Sequence, residues 1–107
     1  MDEAEFNQAV DVALARIEQG VEAADLDFET PADGILEIEF DDGSKIIINR
    51  HGVAREIWVA ARSGGFHFKP QGVAWVDTTW VDTKNGEDLY AKLVALIAAQ
   101  GGGVASF

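Results

Sequence analysis

The sequence predicts an α+β fold: a two-layer sandwich in which an antiparallel sheet is covered on one face by N- and C-terminal helices. Apolar residues recur at three- and four-residue steps near both ends of the chain, and polar and apolar residues alternate between those ends. The turns that separate the alternating runs are short, and strands joined by such turns must be antiparallel. Two helices can cover only one face, so the other face is expected to be open. A chain of 107 residues fits a single domain, residues 1–107.

The first predicted element is an amphipathic helix over residues 3–23. Its apolar side chains form one stripe, made of Phe6, Val10, Ala13, Leu14, Ile17 and Val21. Acidic residues crowd its first turn, where the helix dipole favours negative charge. At about 100° per residue, Asp11, Glu18 and Glu22 fall together on the flank beside this stripe.

Alternation then predicts a meander of strands. Residues 25–30 read as a short strand with Asp25, Asp27 and Glu29 on one face, and residues 31–34 as a turn. Asp42-Gly43 predicts a hairpin. The strands expected after the first are 35–40, 44–50, 56–61, 66–68, 75–77 and 80–82.

The last predicted element is a second helix over about residues 87–99. Its inward-facing residues are expected to be Leu89, Leu93, Leu96 and Ile97. The glycines at 101–103 predict a flexible tail before the final apolar residues.

Charge is distributed unevenly along the chain, whose net charge is -11. Residues 1–42 hold fourteen acids against one base, and residues 43–107 hold five acids against seven bases, so the two parts carry -13 and +2. Such acidity argues against a nucleic-acid partner, which needs clustered Lys and Arg. Cations or basic protein surfaces are the natural complements.

Several classes of protein are excluded by what the sequence lacks. It has no cysteine, so disulfides and thiolate metal sites are excluded. It has no run of 18 apolar residues that could span a membrane, and its acidic start does not resemble a secretory signal. We therefore expect a cytoplasmic protein. Phosphate-loop, nucleophile-elbow and HExxH motifs are also missing, so we assign no catalytic residue and do not expect an enzyme.

The acids of the first helix and first strand have two interpretations. They could form a solvated surface that keeps the protein soluble, which is the usual meaning of a charge run. They could instead converge as ligands, because carboxylate oxygens suit hard cations. Without a calcium-loop spacing or histidine ligands nearby, such a site would be exposed to solvent and would bind iron or manganese weakly. The residues alone leave both interpretations open.

The open sheet face offers a second candidate site. If Ile57 and Val59 point inward, Trp58 points outward, and an outward Trp suggests a contact surface. The alternative is that Trp58 belongs to the core and the register is shifted by one residue. His67, between two phenylalanines, is expected to be a packed structural residue. The predicted docking patch consists of Ile47, Asn49, Arg50, His51 and Trp58.

Several segments together resemble the bacterial frataxin family of the CyaY type. They are the run from Asp42 to Arg50, Ile57-Trp58-Val59-Ala60, Gly64-Gly65-Phe66-His67-Phe68 and the closing Val104-Ala105-Ser106-Phe107. The resemblance implies an α-β-α sandwich with five to seven strands. It also implies a regulator or iron chaperone of iron–sulfur cluster assembly that binds iron (Fe2+/Fe3+) weakly and exchangeably, with other divalent cations as alternatives.

The family's functional surfaces can be carried over by position. The acidic ridge of the family corresponds to Asp11, Glu18, Glu22, Asp25, Asp27 and Glu29, and its sheet contacts to Asn49 and Trp58. Through these surfaces the resemblance implies contact with a cysteine desulfurase and with the iron–sulfur scaffold protein. His51 stands where the family usually has Gln, and Trp75 is an addition without an assigned role.

Three functional hypotheses remain from the sequence. The first is the iron-binding regulator or chaperone, a monomer for which iron-dependent oligomerisation is open. The second is an acidic protein-interaction module in which metal binding is incidental. The third is a ferroxidase activity of the family type, which we rank last because the sequence has no His-rich dinuclear centre.

Overall fold

A computed structural model gives the fold and describes residues 1–72 and 75–107. The elements in chain order are α1 (Glu3–Ala23), β1 (Asp27–Ala32), β2 (Ile35–Glu39), β3 (Lys45–His51), β4 (Glu56–Ala61), β5 (Gly64–Gln71), a 3-10 turn (Trp75–Asp77), β6 (Thr79–Asp82) and α2 (Leu89–Ala99). The six strands form one sheet in chain order, and each pairs antiparallel with the next. The predicted α+β sandwich is confirmed.

Both helices pack on the same face of the sheet and share one core with it. The helix stripe predicted from the sequence is buried apart from the half-buried Leu14. Trp80 of β6 is buried and meets Phe6 of α1 edge to face, with ring centroids 6.0 Å apart. Because the layers share this core, strand alternation sets which side chains of β2 to β6 lie on the open face, whereas in β1 the register shifts between Glu29 and Ala32.

Each helix begins at an aspartate cap. The Asp2 carboxylate accepts a hydrogen bond from the Glu5 amide at 2.9 Å, and the Glu5 carboxylate accepts one from the Asp2 amide. Asp88 accepts from the Ala91 amide at 3.0 Å, so α2 begins at Leu89, two residues later than predicted. In the described part of the chain no helix is long and apolar enough to cross a membrane.

The first strand differs from its prediction. Asp25 lies in the turn after α1 with φ of 59°, so β1 begins only at Asp27. The strand continues through Pro31, which is tolerated because β1 is at the edge of the sheet. The predicted turn therefore shrinks to Asp33 and Gly34, with Gly34 at φ of 79°.

Two further predictions are wrong. Residues Trp75–Asp77 form a 3-10 turn and not a strand, because β5 extends to Gln71 and pairs directly with β6 at Thr79. The tail after α2 was predicted to be flexible, but it packs against both helices. A Cβ on Gly102 would lie 2.7 Å from Ile97, and one on Gly20 would lie 2.4 Å from the Phe107 ring. The glycines thus permit close packing of the tail.

Candidate functional site

The helix-side acids line a groove between α1 and the first strands of the sheet. Asp11, Glu18 and Asp33 contribute to its walls, and its volume is about 340 Å³. The Asp11 carboxylate lies 2.5 Å from the Arg50 guanidinium, and Asp33 lies 3.8 Å from it. The groove is therefore acidic, but the charge of Asp11 is already balanced by a cation from β3.

Four other acids face one another on the open face of the sheet, at the β1–β2 edge. Asp27 is directly opposite Glu39, and Glu29 is directly opposite Glu37. The four side chains share the solvent side because the intervening Leu36 and Ile38 are buried and opposed residues share a face. We call these four the open-face carboxylates. They line a hollow of about 270 Å³, where Lys45 Nζ lies 3.7 Å from Glu37.

The structure therefore does not bring the six predicted ridge residues together. Asp11, Glu18 and Glu22 lie on α1, whereas Asp27 and Glu29 point to the opposite side of the sheet. The remaining residue, Asp25, lies in the turn between them, near a third hollow that it lines with Asp27, Glu39 and Asp41. Within residues 1–72 and 75–107 no three Asp, Glu or His side chains are placed to hold one metal ion.

Sequence reasoning missed Glu37 and Glu39 as members of the acidic site. The signal was present, because the run from Ile35 to Phe40 alternates and its hairpin partner lies just before it. Counting back from the tight turn at Asp33-Gly34 pairs Glu37 with Thr30 and Glu39 with Phe28, next to the β1 acids. An irregularity between Glu29 and Ala32 shifts the register by one residue and puts both glutamates directly opposite those acids. The predicted turn, which took in Pro31, did not include that shift.

The centre of the open face carries the predicted docking patch, with one exception. Ile57 and Val59 are buried, so Trp58 points outward and the register shifted by one residue is excluded. Asn49 pairs directly with Trp58. Arg50, by contrast, lies on the helix side, where it donates to Asn7 and Asp11 of α1. The structure thus separates Arg50 from the rest of the patch.

The Trp58 indole is held between two histidines. The His51 ring stacks on it at 3.7 Å between centroids and the His67 ring at 4.2 Å, both nearly parallel to the indole. These residues come from β3 and β5, which flank β4 on either side, so the imidazoles cover opposite faces of the indole. The indole Nε1 donates to Glu56 at 2.8 Å.

His67 was expected to be a packed structural residue. Its side chain is 48% exposed, and it lies directly opposite Trp58 in the β4–β5 hairpin. The alternation of Phe66 and Phe68, which face the core side, could have placed it on the open face. The open face therefore runs from carboxylates at the β1–β2 edge to a centre around Ile47, Ala60 and the Trp58 stack, where the Glu56 carboxylate is held by the indole N–H. Hard cations suit the first region and protein contacts suit the second.

Comparison with known proteins supplies a family context for this arrangement. The chain matches the family model described as a frataxin-like domain over residues 1–103. It is 53% identical over 104 residues to the iron-sulfur cluster assembly protein CyaY of Dechloromonas aromatica, covering 95% of this chain and 94% of the relative. It is 46% identical over 95 residues to the CyaY protein of Vibrio cholerae, covering 87% and 86%.

A solved structure shows the same fold. The frataxin of Psychromonas ingrahamii superimposes with a TM-score of 0.85 at 27% sequence identity, covering 99% of this chain and 97% of that one. It was described as a model for studying stability modulation within the CyaY family.

Proposed function

Because this chain belongs to the frataxin-like family, we propose that it binds iron and acts as a regulator or iron chaperone of iron–sulfur cluster assembly. Its relatives are named iron-sulfur cluster assembly proteins. It does so by contacting the cysteine desulfurase and scaffold complex in the cytoplasm, with no catalytic step of its own. Iron is its cargo and not a resident cofactor.

The observation that carries this proposal is the opposition of like charges on the open face. Acids directly opposite one another in neighbouring strands repel and destabilise the sheet. Two such pairs, Asp27 with Glu39 and Glu29 with Glu37, lie side by side. A bound cation offsets that repulsion. Because three of the four carboxylates are exposed, Glu37 is half-buried and none forms a three-ligand group in the described residues, iron would bind weakly and exchange readily.

Two different surfaces would serve two partners. The acids of α1 and of the β1–β2 edge present negative charge that complements a basic desulfurase surface. The patch of Ile47, Asn49 and Trp58 presents an aromatic centre without formal charge, which suits the scaffold protein. Negative charge alone attracts many basic proteins, so the aromatic patch would supply specificity.

An anaerobic titration with ferrous iron, followed by backbone amide NMR, tests the iron site. Because ferrous iron is paramagnetic, the amide signals nearest to it broaden first. We expect early broadening in residues 27–29 and 37–39, and weaker binding in Asp27→Asn/Glu29→Gln. Glu3→Gln/Asp77→Asn removes the same charge elsewhere and should bind as the wild type does. Broadening spread evenly over all acids, or equal binding by both variants, would contradict the site.

The second candidate function is an acidic interaction module in which metal binding is incidental. It is favoured by the fact that two of the acids already hold cationic side chains, Asp11 through Arg50 and Glu37 through Lys45. A basic partner would supply more such cations.

Charge reversal of Asp27 and Glu29 separates the two functions when both properties are measured on the same variant. Loss of desulfurase binding with unchanged iron binding favours the interaction module. Loss of both properties favours the iron-binding regulator. The third hypothesis, ferroxidase activity, would show as oxygen consumption faster than that of free ferrous iron.

A further inference from the structure

The stack around Trp58 contains a histidine whose hydrogen bond depends on its protonation state. The Ala54 amide, in the turn between β3 and β4, donates to Nδ1 of His51 at 3.2 Å. Nδ1 must therefore be unprotonated, so the neutral ring carries its proton on Nε2. Histidine is the side chain that normally changes charge between pH 5 and 8, and here the incoming proton must go to Nδ1. Protonation then turns the acceptor into a donor that faces another donor.

The second histidine of the stack responds in the opposite way. His67 Nδ1 lies 3.8 Å from the Glu56 carboxylate, which also accepts the Trp58 indole N–H. A proton on His67 creates an ion pair with Glu56, so His67 stays beside the indole when it is charged. Acidification therefore loosens one side of the stack and tightens the other.

Other charged groups around the stack do not reverse this asymmetry. Glu56 is directly opposite His51 across the β3–β4 pair, but its Oε1 is engaged by Trp58 and lies beside His67. On the far side, Lys84 and Asp82 line a hollow next to His67, where Asp82 accepts hydrogen bonds from the amides that follow it. Attraction between a charged imidazole and the indole favours both stacks, but at His51 it is opposed by the Ala54 N–H, which faces the incoming proton.

From this geometry we propose that His51 is a pH-sensitive cover on one face of Trp58: neutral His51 shields the indole, and protonated His51 leaves it open to the protein partner. The proposal rests on the proposed function for the partner, which is the scaffold protein. This pH response requires the histidine at position 51, because a glutamine there would not change its charge with pH.

A first experiment uses the free protein, so its result does not depend on the partner. Ring protons of His51 stacked on an indole have upfield-shifted NMR signals. We expect that shift to disappear as His51 titrates, while the Ala54 amide exchanges faster with solvent and the His67 protons keep their shift. In His51→Gln the Trp58 indole signal should no longer follow the same titration. A His51 ring that stays upfield-shifted when charged, or an unchanged Ala54 amide, would overturn the proposal.

A second experiment measures binding of the scaffold protein at about pH 6 and about pH 8, on either side of the usual histidine titration. Titration of the scaffold itself is common to all variants, so the wild type is compared with His51→Gln on the same preparation. We expect the wild type to gain about two- to fivefold more affinity on acidification than His51→Gln, in line with uncovering one aromatic face. Equal pH dependence of the two proteins contradicts the proposal. Absence of binding by the wild type at both pH values contradicts the proposed docking function. His51 would then not control access of the scaffold protein to Trp58, even if the NMR experiment shows the expected loss of stacking.

Discussion

At the scale of single residues, neighbouring positions of β3 have opposite roles. Asn49 and His51 point to the open face beside Trp58, whereas Arg50 between them points to the helices. Arg50 is 19% exposed and joins β3 to α1 through Asn7 and Asp11. Its role is therefore structural, although its sequence position suggests a docking residue.

Replacement of Arg50 by Ala should destabilise the fold by about 2 kcal/mol, because it removes charge-assisted hydrogen bonds and a packed aliphatic stem. Urea unfolding measures this loss. Lys69→Ala, at an exposed position of β5, is the control and should change stability little. Equal stability of Arg50→Ala and the wild type would show that the link to α1 is not structural.

Trp58 behaves differently, because its half-buried stack lies outside the core. Trp58→Ala should lower scaffold binding by at least about tenfold, as expected for an interface anchor, with a smaller effect on unfolding than Arg50→Ala. Surface-based binding assays and urea unfolding on the same preparation separate these effects. A large loss of stability without a loss of scaffold binding would show that Trp58 is not part of the docking surface.

At the scale of elements, the tail after α2 and the turn before β3 are both held by contacts with residues distant in the sequence. Phe107 lies over Gly20 of α1, and its carbonyl accepts a hydrogen bond from Arg16 at 2.7 Å. In the turn, Asp42 accepts from the Ser44 amide at 2.8 Å and pairs with Arg62 at 2.7 Å. Each contact anchors a segment that the sequence alone presents as a loop, the tail to α1 and the turn to Arg62.

Gly20→Ala tests the tail. Within a helix this change normally adds up to about 1 kcal/mol of stability. Here the new Cβ would meet the Phe107 ring and the Ser106 carbonyl, so the full chain should instead lose about 1 to 3 kcal/mol. In a chain shortened to end at Ala105 the same substitution should become neutral or stabilising. The same sign in both backgrounds would show that the tail does not pack there.

The Asp42 turn predicts a dependence of stability on pH. Hydrogen bonds from Ser44, and then the Arg62 guanidinium, lower the pKa of the Asp42 carboxyl below its usual 3.8. A carboxyl with a lower pKa in the folded chain adds stability above the unfolded pKa, and that stability is lost as pH falls through the folded pKa. Asp42→Asn should therefore be less stable than the wild type at neutral pH, and the gap should narrow in strong acid. A constant gap in unfolding measurements would contradict this assignment.

Alternation predicted most of the fold. The strand at Glu56–Ala61 and the helix at Glu3–Ala23 have the predicted bounds, because one face of each is strongly apolar. Prediction was wrong at Trp75–Asp77, where three residues are too few to separate a strand from a turn. It also grouped acids that lie on two sides of the sheet, because the register of β1 depends on the turn that follows it and on the irregularity between Glu29 and Ala32. The His67 contact depends on pairing between strands, which composition does not reveal.

At the scale of the whole molecule, the dominant feature is negative charge that costs stability. The first part of the chain carries most of the acids, and those on β1 and β2 oppose one another. In a fold with an intact core, such repulsion is expected to persist where a ligand or partner offsets it.

Glu29→Gln removes one member of an opposed pair and should raise stability by about 0.5 kcal/mol at low salt. The gain should shrink at high salt, because screening weakens the repulsion in the wild type. Glu3→Gln, outside the sheet, should give no gain. Urea unfolding that shows no difference between the two variants would mean that the opposed acids do not repel measurably.

The most direct test of the account measures binding to the desulfurase–scaffold complex, without and with ferrous iron under anaerobic conditions. The wild type is compared with Asp27→Asn/Glu29→Gln at the sheet edge and with Trp58→Ala at the sheet centre. The account predicts that both variants bind the complex more weakly than the wild type, and that only the edge variant also loses iron. Wild-type affinity in both variants, or equal iron binding by all three proteins, would contradict it.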